Sequence, residues 1–487
     1  MHLSTPRPLR VFAFCALAFA LPLAKAAAAE KAIGESDRTA LSLTLYQNDL
    51  ALIDESRTAD LPAGTHHLLL NDLSEQLRPE SLLLSGKGLQ VIDQTFAYGL
   101  LSQQDLLVAN IGKEVWWRQV NPASGEATLT QATLVSVNGG VLLQADGRVQ
   151  TVSANDVVFN DLPPGLTARP TLTASVELSD EGAQEIGLQY LTGGMGWHLT
   201  YLAELNPSGN EMTVSALVTL ANGTQADFRD ATIRLVAGDV RQTQPQTAAL
   251  DSFGGVQMRA EAVMADVPAQ QASDRYLYTL PASQDLLSRQ NKQVPLFTAD
   301  DVKVTRLYRV EGLVNLPPRL QAPRSQQASL VLSLDNTAED GLGRPLPAGA
   351  FMVYESLSSD EGGSSNQDGT GNSPFFAGAS DIGHTAEGQS LEVILGRAFD
   401  VTAESKQTDF ERLSKNTGSY EAAEQVTVTN AKAEAVAVEV IGYLPQGWKM
   451  LSESESHEKR SATQVVWQLE VPAKGSVTLD YRFRVAP

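Results

Sequence analysis

Proton transfer, metal binding and nucleophilic attack at neutral pH draw mostly on histidine, cysteine and perturbed carboxylates, and the 487-residue chain is poor in the first two. Beyond His2 its histidines are His66, His67, His198, His384 and His457. His66 and His67 are neighbours, so on a strand they point to opposite faces. No His-Glu-x-x-His occurs and no second histidine stands near His198, so spacing offers no zinc site and no metal is expected. Cys15 is the only cysteine. The chain has no Gly-x-Ser-x-Gly elbow and no Gly-x-x-x-x-Gly-Lys-Ser/Thr loop, which removes the common serine hydrolase and phosphate-loop signatures; no cofactor is expected. Carboxylates are abundant, so adjacent pairs such as Asp300-Asp301 and Asp360-Glu361 mark no site by themselves. Asn366-Gln367-Asp368-Gly369-Thr370-Gly371-Asn372 matches a calcium loop in composition only, without alternating acidic ligands or a closing glutamate.

One segment concentrates chemistry-bearing side chains. Tyr190, Trp197, His198 and Tyr201 gather around Gly193, Gly194 and Gly196. No helical pattern follows these glycines, so they read as a bend or bulge between strands rather than a phosphate cradle. With Trp197 starting a strand, Trp197, Leu199 and Tyr201 share one face, and His198, Thr200 and Leu202 the other. Core aromatics of a β-sandwich are the favoured reading; the sharper alternative is a recognition surface formed by Tyr190, Trp197, His198 and Tyr201. The burial of Trp197 decides between them.

The elements that would position these residues are strands. Val214, Ala216, Val218 and Leu220 fall on one face of Thr213–Leu220. Ile233, Leu235 and Ala237 do the same, as do Val436, Val438 and Val440, and Val477, Leu479, Tyr481, Phe483 and Val485. Period-two alternation broken by turn residues predicts half-buried antiparallel strands. The expected class is therefore all-β: a multidomain chain of antiparallel β-sandwiches with a small SH3-like barrel module near the N-terminus. The expected organisation is an N-terminal β region over 40–165 containing the barrel at about 105–162, an antiparallel domain over 170–245, a linker and connecting strand over 246–299, and a C-terminal sandwich over 300–487. Gln242–Ser273, rich in Gln and Ala, reads as a linker, and Ser356–Ser373 as a polar excursion from a hairpin. Ala403–Ala423, polar and mixed in charge, reads as a long connection or a short exposed helix.

The N-terminus carries an address. Arg7 and Arg10 precede an apolar run, Val11–Ala24, and Ala24-Lys25-Ala26 is a small-x-small cleavage site. That is the layout of a secretory signal over 1–26, with Ala28 the rival cleavage point, and the run is too short to span a bilayer. Phe14 ahead of Cys15 argues against lipidation. The expected location is outside the cytoplasm: periplasmic in a Gram-negative cell, otherwise secreted. Cleavage removes the only cysteine, so no disulfide or thiol chemistry is expected in the mature chain. It also removes three basic residues, leaving the chain three units more negative than its formal −21. A field of that sign repels nucleic acid and disfavours an anionic membrane surface. No second long apolar run follows, so no transmembrane helix is expected in the mature chain.

Tyr190-Leu191-Thr192-Gly193-Gly194-Met195-Gly196-Trp197, with Tyr201 following, resembles a hallmark of a family of exported bacterial β-rich proteins of unknown function. The same domain occurs in the C-terminal part of mucoidy-inhibitor-A-like proteins. The resemblance continues through Thr219–Thr224, Asp227-Phe228, Ala231–Asp239, Tyr278–Leu280, Val294–Phe297, Leu346–Gly349 and Leu395-Gly396-Arg397-Ala398-Phe399-Asp400. It implies export and a β-rich fold, and brings no catalytic residues. Two functions follow as expectations. The favoured one is a non-enzymatic binding or scaffold protein of the envelope, with a protein or polysaccharide partner, one mode being strand addition at a sheet edge. The alternative is a carboxylate-dependent hydrolase acting on an envelope polymer, which needs two carboxylates facing across a cleft.

Overall fold

The computed structural model describes residues 29–97, 102–161, 171–238, 240–241, 269–272, 275–311, 323–356, 374–414 and 418–486. The expected signal segment, Pro163-Pro164-Gly165, and most of Gln242–Ser273 and Ser356–Ser373 lie outside the described residues. Strands dominate, and the one α-helix among the described residues is the short Gln103–Ala109, whose N-terminus is capped by Ser102 accepting from the Asp105 amide. No helix of the described residues is long and apolar enough to cross a membrane.

The chain divides into two compact units. Of the described residues, the first takes those up to Ser36 and those within Thr58–Asn71 and Ser85–Glu185. It holds a four-stranded sheet in the order Ala29–Ala32, Gly64–Leu70, Thr171–Leu178, Leu89–Ala97. It also holds a five-stranded antiparallel sheet in the order Arg148–Val152, Val141–Ala145, Ala127–Ser136, Glu114–Val120, Val157–Val158. The second sheet has its own core, in which Val115, Leu134, Val141, Leu143 and Val157 close around Leu107 of the short helix.

The second unit takes Asp37–Arg57, Asp72–Leu84 and the chain from Ile186 onward. Here the expected alternations appear as buried faces: Val214, Ala216, Val218 and Leu220 on one strand, and Leu479, Tyr481, Phe483 and Val485 on another. A five-stranded sheet runs Gln290–Lys303, Glu211–Asn222, Met195–Leu205, Gly349–Glu355, Phe375–Ile382, with the third and fourth strands parallel. A nine-stranded sheet runs Trp448–Glu453, Gly475–Val485, Tyr420–Asn430, Ser390–Arg412, Arg324–Asp335, Thr305–Glu311, Val436–Tyr443, Gln464–Val471, His457–Lys459. This sheet curls over its own core. Trp467 and Tyr481 meet with ring centroids 4.5 Å apart although five strands separate theirs in the sheet order.

Ala403–Ala423 is not a loose connection. Its described residues are the end of the Ser390–Arg412 strand and the start of Tyr420–Asn430. The inward residues of the first are Val401, Ala403, Ser405 and Gln407. Two of the four are polar, so a hydrophobic period of two does not show in the sequence.

Three buried asparagines close strand ends in the same way. Asn222 donates from Nδ2 to the carbonyls of Ala226 (2.9 Å) and Leu286 (3.1 Å) and accepts from the Thr224 amide (3.0 Å). Asn430 donates to Glu434 (2.8 Å) and Pro472 (3.1 Å) and accepts from Lys432 (2.9 Å). Asn336 donates to Arg344 (2.7 Å) and Ala386 (2.9 Å) and accepts from the Arg344 amide (3.3 Å). Each satisfies carbonyls that leave the ladder where a strand stops.

Candidate functional site

Three of the four residues of the expected recognition surface are core. Tyr190, Trp197 and Tyr201 are each at most 2% exposed, and only His198 faces solvent. The cause is the alternation itself: the Met195–Leu205 strand turns Trp197, Leu199 and Tyr201 inward together. Trp197 Nε1 donates to the Val236 carbonyl (3.3 Å), and the Tyr201 hydroxyl to the Pro347 carbonyl (2.8 Å). Burial pushes both tyrosine hydroxyls well above their usual range. Gly193 and Gly194 form the tight link between two long strands, with Gly194 at φ +71°, and a Cβ on Gly196 would meet the Tyr46 carbonyl at 3.1 Å. The three aromatic side chains of the segment therefore pack in the core.

The histidines are dispersed. His66 Nε2 lies 2.7 Å from the Pro62 carbonyl, His384 Nδ1 accepts from the Ala348 amide (3.1 Å), and His457 Nδ1 lies 2.7 Å from Glu453 Oε2. His67 belongs to a row that sequence reading missed. In the first unit, Ser175 stands opposite His67 on one neighbouring strand and Asp93 on the other. Ser175 Oγ donates to Asp93 Oδ1 (2.9 Å) and lies 3.1 Å from His67 Nδ1. These are the residue types of a nucleophilic triad in the wrong order. Catalysis needs histidine between the hydroxyl and the carboxylate. Here serine is between them and its proton already goes to Asp93, so His67 can only donate to the serine oxygen. The three come from segments far apart in sequence, and no local spacing could have announced them.

Among the described residues no group of three His, Cys, Asp or Glu side chains could hold a metal ion. A shallow pocket of about 310 Å³ opens over Ala435–Ala437 and Gln468–Glu470, and Glu470 is its sole carboxylate. It does not offer the two facing carboxylates a hydrolase would use.

Two polar rows cross the nine-stranded sheet. On the face turned away from the core, Arg309 is paired in parallel register with Glu439, and Glu439 in antiparallel register with Gln468. Arg309 grips Glu392 with two bonds of 2.7 Å and Glu439 with bonds of 3.0 and 2.7 Å. Arg460 and Gln468 complete Glu439 at 2.7 and 2.9 Å. Burial works against ionising Glu439, but these bonds hold its carboxyl below the usual range, and Arg309 does the same for Glu392. On the core face, Gln407, Glu424 and Tyr481 stand opposite one another on three adjacent strands. Tyr481 donates its hydroxyl to Glu424 Oε2. Burial pushes Glu424 up to about 7, and the tyrosine bond opposes this only in part.

Among the described residues the most exposed large apolar side chain lies on the Ser390–Arg412 strand. From Gln327 to Ser329 the partner strand advances two residues while Ser390–Arg412 moves five, from Thr402 to Arg397. The excess forms a bulge. On one side of it Ala398 packs against the core; on the other Val401 is fully buried and the Asp400 carbonyl accepts from Ala431 (2.8 Å). Phe399, held between these anchors, is 86% exposed. Ile394 nearby is exposed too, as are Phe375 and Phe376 on the strand whose Gly378 abuts Leu395.

A family model described as a domain of unknown function, DUF4139, matches residues 186–486. It takes in every landmark on which the resemblance rests, both rows of the nine-stranded sheet and the Phe399 bulge, and excludes His67, Asp93 and Ser175. No curated protein matches the chain.

Proposed function

We propose that this chain, which belongs to the DUF4139 family, is an exported envelope protein that works by binding, and that Phe399 anchors its protein partner. The observation that carries this is the outward placement of Phe399 between neighbours tied to the core. Burying a phenylalanine is worth roughly 2–3 kcal/mol, and the bulge forgoes that while fixing the backbone on both sides of the ring. An outward-held aromatic has the character of an interface hot spot, which fills a pocket on the partner at little ordering cost. Export is supported by the Arg7–Ala26 pattern, and a partner of the same compartment follows from it. The proposal extends to organisation: residues 105–162 form a small SH3-like barrel, supported by five short strands in near-sequential order around one core, and 300–487 form a C-terminal sandwich.

A photo-crosslinking amino acid at position 399, in chain exported from cells, tests the binding role. A discrete partner is expected, absent when the crosslinker is at exposed Leu129 in the first unit and competed away by unlabelled wild-type chain but not by Phe399→Glu. Equal labelling from both positions sinks the reading. Phe399→Glu is expected to leave the melting temperature unchanged, since the side chain has almost no burial to lose.

A further inference from the structure

The core-face row of the nine-stranded sheet leaves hydrogen-bonding capacity unused at several neighbouring positions. Ser405 and Gln407 lie two apart on the Ser390–Arg412 strand, on the face that carries buried Val401 and Ala403. Ser405, Gln407, Glu424 and Tyr481 are each at most 5% exposed. Glu424 Oε2 receives the Tyr481 hydroxyl. Among the described residues Glu424 Oε1, both polar atoms of the Gln407 amide and Ser405 Oγ have no hydrogen-bond partner. Leaving a buried polar atom unmet costs about 1–3 kcal/mol, so four in one row are not incidental.

Gln407 is the direct cross-strand neighbour of Glu424. Such neighbours hold their Cβ atoms about 5 Å apart, within reach of an amide and a carboxyl. An amide offers both a donor and an acceptor. With the carboxyl neutral, Glu424 can donate to Gln407 Oε1; with it ionised, Gln407 can turn end over end and donate from Nε2. Ser405, whose hydroxyl rotates, adapts in the same way. A fixed donor such as arginine would permit only the ionised state, and an apolar neighbour only the neutral one.

We infer that Glu424 is a reversible proton-binding site built into the C-terminal sandwich, with Gln407 the positioning residue that accommodates both charge states and Tyr481 the constant donor to the second oxygen. The titratable groups around it are few. Tyr481 faces it from Gly475–Val485, and Tyr420 lies on its own strand. Beyond Tyr481 the Trp467 ring, from Gln464–Val471, stands before Glu453 and His457, which lie on the two edge strands of the sheet. Trp467 Nε1 donates to Glu453 Oε2 (3.0 Å), the oxygen that also meets His457. Among the described residues the only hydrogen-bond partner of the Glu424 carboxyl is thus a neutral phenol. Burial, with that single bond against it, brings the group to titrate near 7. A pocket of this kind ionises as the exported protein's surroundings pass from mildly acidic to mildly alkaline, placing a charge between the two packed halves of the sandwich.

Carbon-13 NMR of the glutamate side-chain carboxyls in the full chain tests this, with Glu424→Gln assigning the resonance. The expected midpoint is near 7. Gln407→Leu is expected to raise it by about one pH unit, because the ionised form loses its donor, and Tyr481→Phe to raise it likewise. Gln407→Asn, which keeps an amide, should return it toward the wild-type value. A wild-type midpoint near the ordinary 4.5 overturns the proton site. An unchanged midpoint in Gln407→Leu overturns the role of Gln407. If Gln407→Leu does not fold, the wild-type and Gln407→Asn titrations still decide the matter.

Discussion

Glu439 and Glu424 lie in the same nine-stranded sheet, on opposite faces and on strands four places apart in its order, and they end in opposite electrical states. Both are almost fully buried, so desolvation penalises the ionised form of each. Glu439 is met by two arginines and an amide, at 2.7 to 3.0 Å. Those bonds exceed the desolvation cost and keep it charged. Glu424 is met by one phenol, and burial wins. Burial therefore does not by itself fix the charge of a carboxylate; the number and charge of the donors that neighbouring strands supply decide it.

Removing the hub of the outer row is the strongest way to break this contrast. Glu439→Ala leaves Arg309 and Arg460 without the carboxylate they share, whose side chain is 6% exposed against 11% for Arg309 and 33% for Arg460. A loss of about 3 kcal/mol is expected in urea unfolding of the second unit. The pH dependence of stability then separates the rows by sign. Glu424 has a raised folded pKa, so its contribution is fully present below about 4.5 and is lost as pH rises toward 7. Glu439 and Glu392 have lowered folded pKa values, so their contributions are present above the ordinary carboxylate range and are lost as pH falls through the folded values. Glu424→Gln should flatten the decline between pH 4.5 and 7, a change of about 3 kcal/mol at most for a shift of that size. It should leave the acid side unchanged. A decline that persists in Glu424→Gln assigns it to another group. The smallest effect is expected from Glu392→Gln. The Glu392 side chain is 43% exposed, so losing its fork to Arg309 should cost under about 1 kcal/mol and less still in high salt.

The sequence made some of this legible and hid the rest for identifiable reasons. The strands of Thr213–Leu220 and Gly475–Val485 were plain because apolar residues occupy every inward position. Trp197 and Tyr201 are buried for the same reason. The end of Ser390–Arg412 escaped because Ser405 and Gln407 occupy inward positions there, and a buried polar residue looks like a solvent-facing one in a hydropathy pattern. Asn222, Asn336 and Asn430 each follow an alternating run, and that shared position was a signal available in the sequence. The His67–Ser175–Asp93 row and the Phe399 bulge gave no such signal: the first depends on which strands pair, the second on a register shift.

What the sequence determined by itself is local: where the chain alternates, which side chains can ionise, and a net acidity that repels polyanions. These are properties of a residue and its near neighbours along the chain. What only the tertiary structure decided is the state of each polar group. Glu424 meets Gln407 and Tyr481, 17 and 57 residues away, because antiparallel pairing brings them opposite one another. Hydrogen bonds act over about 3 Å, and desolvation depends on everything packed around the group. Both are set by strand pairing and by the curl of the sheet, so the charge on a buried carboxyl is a property of the fold.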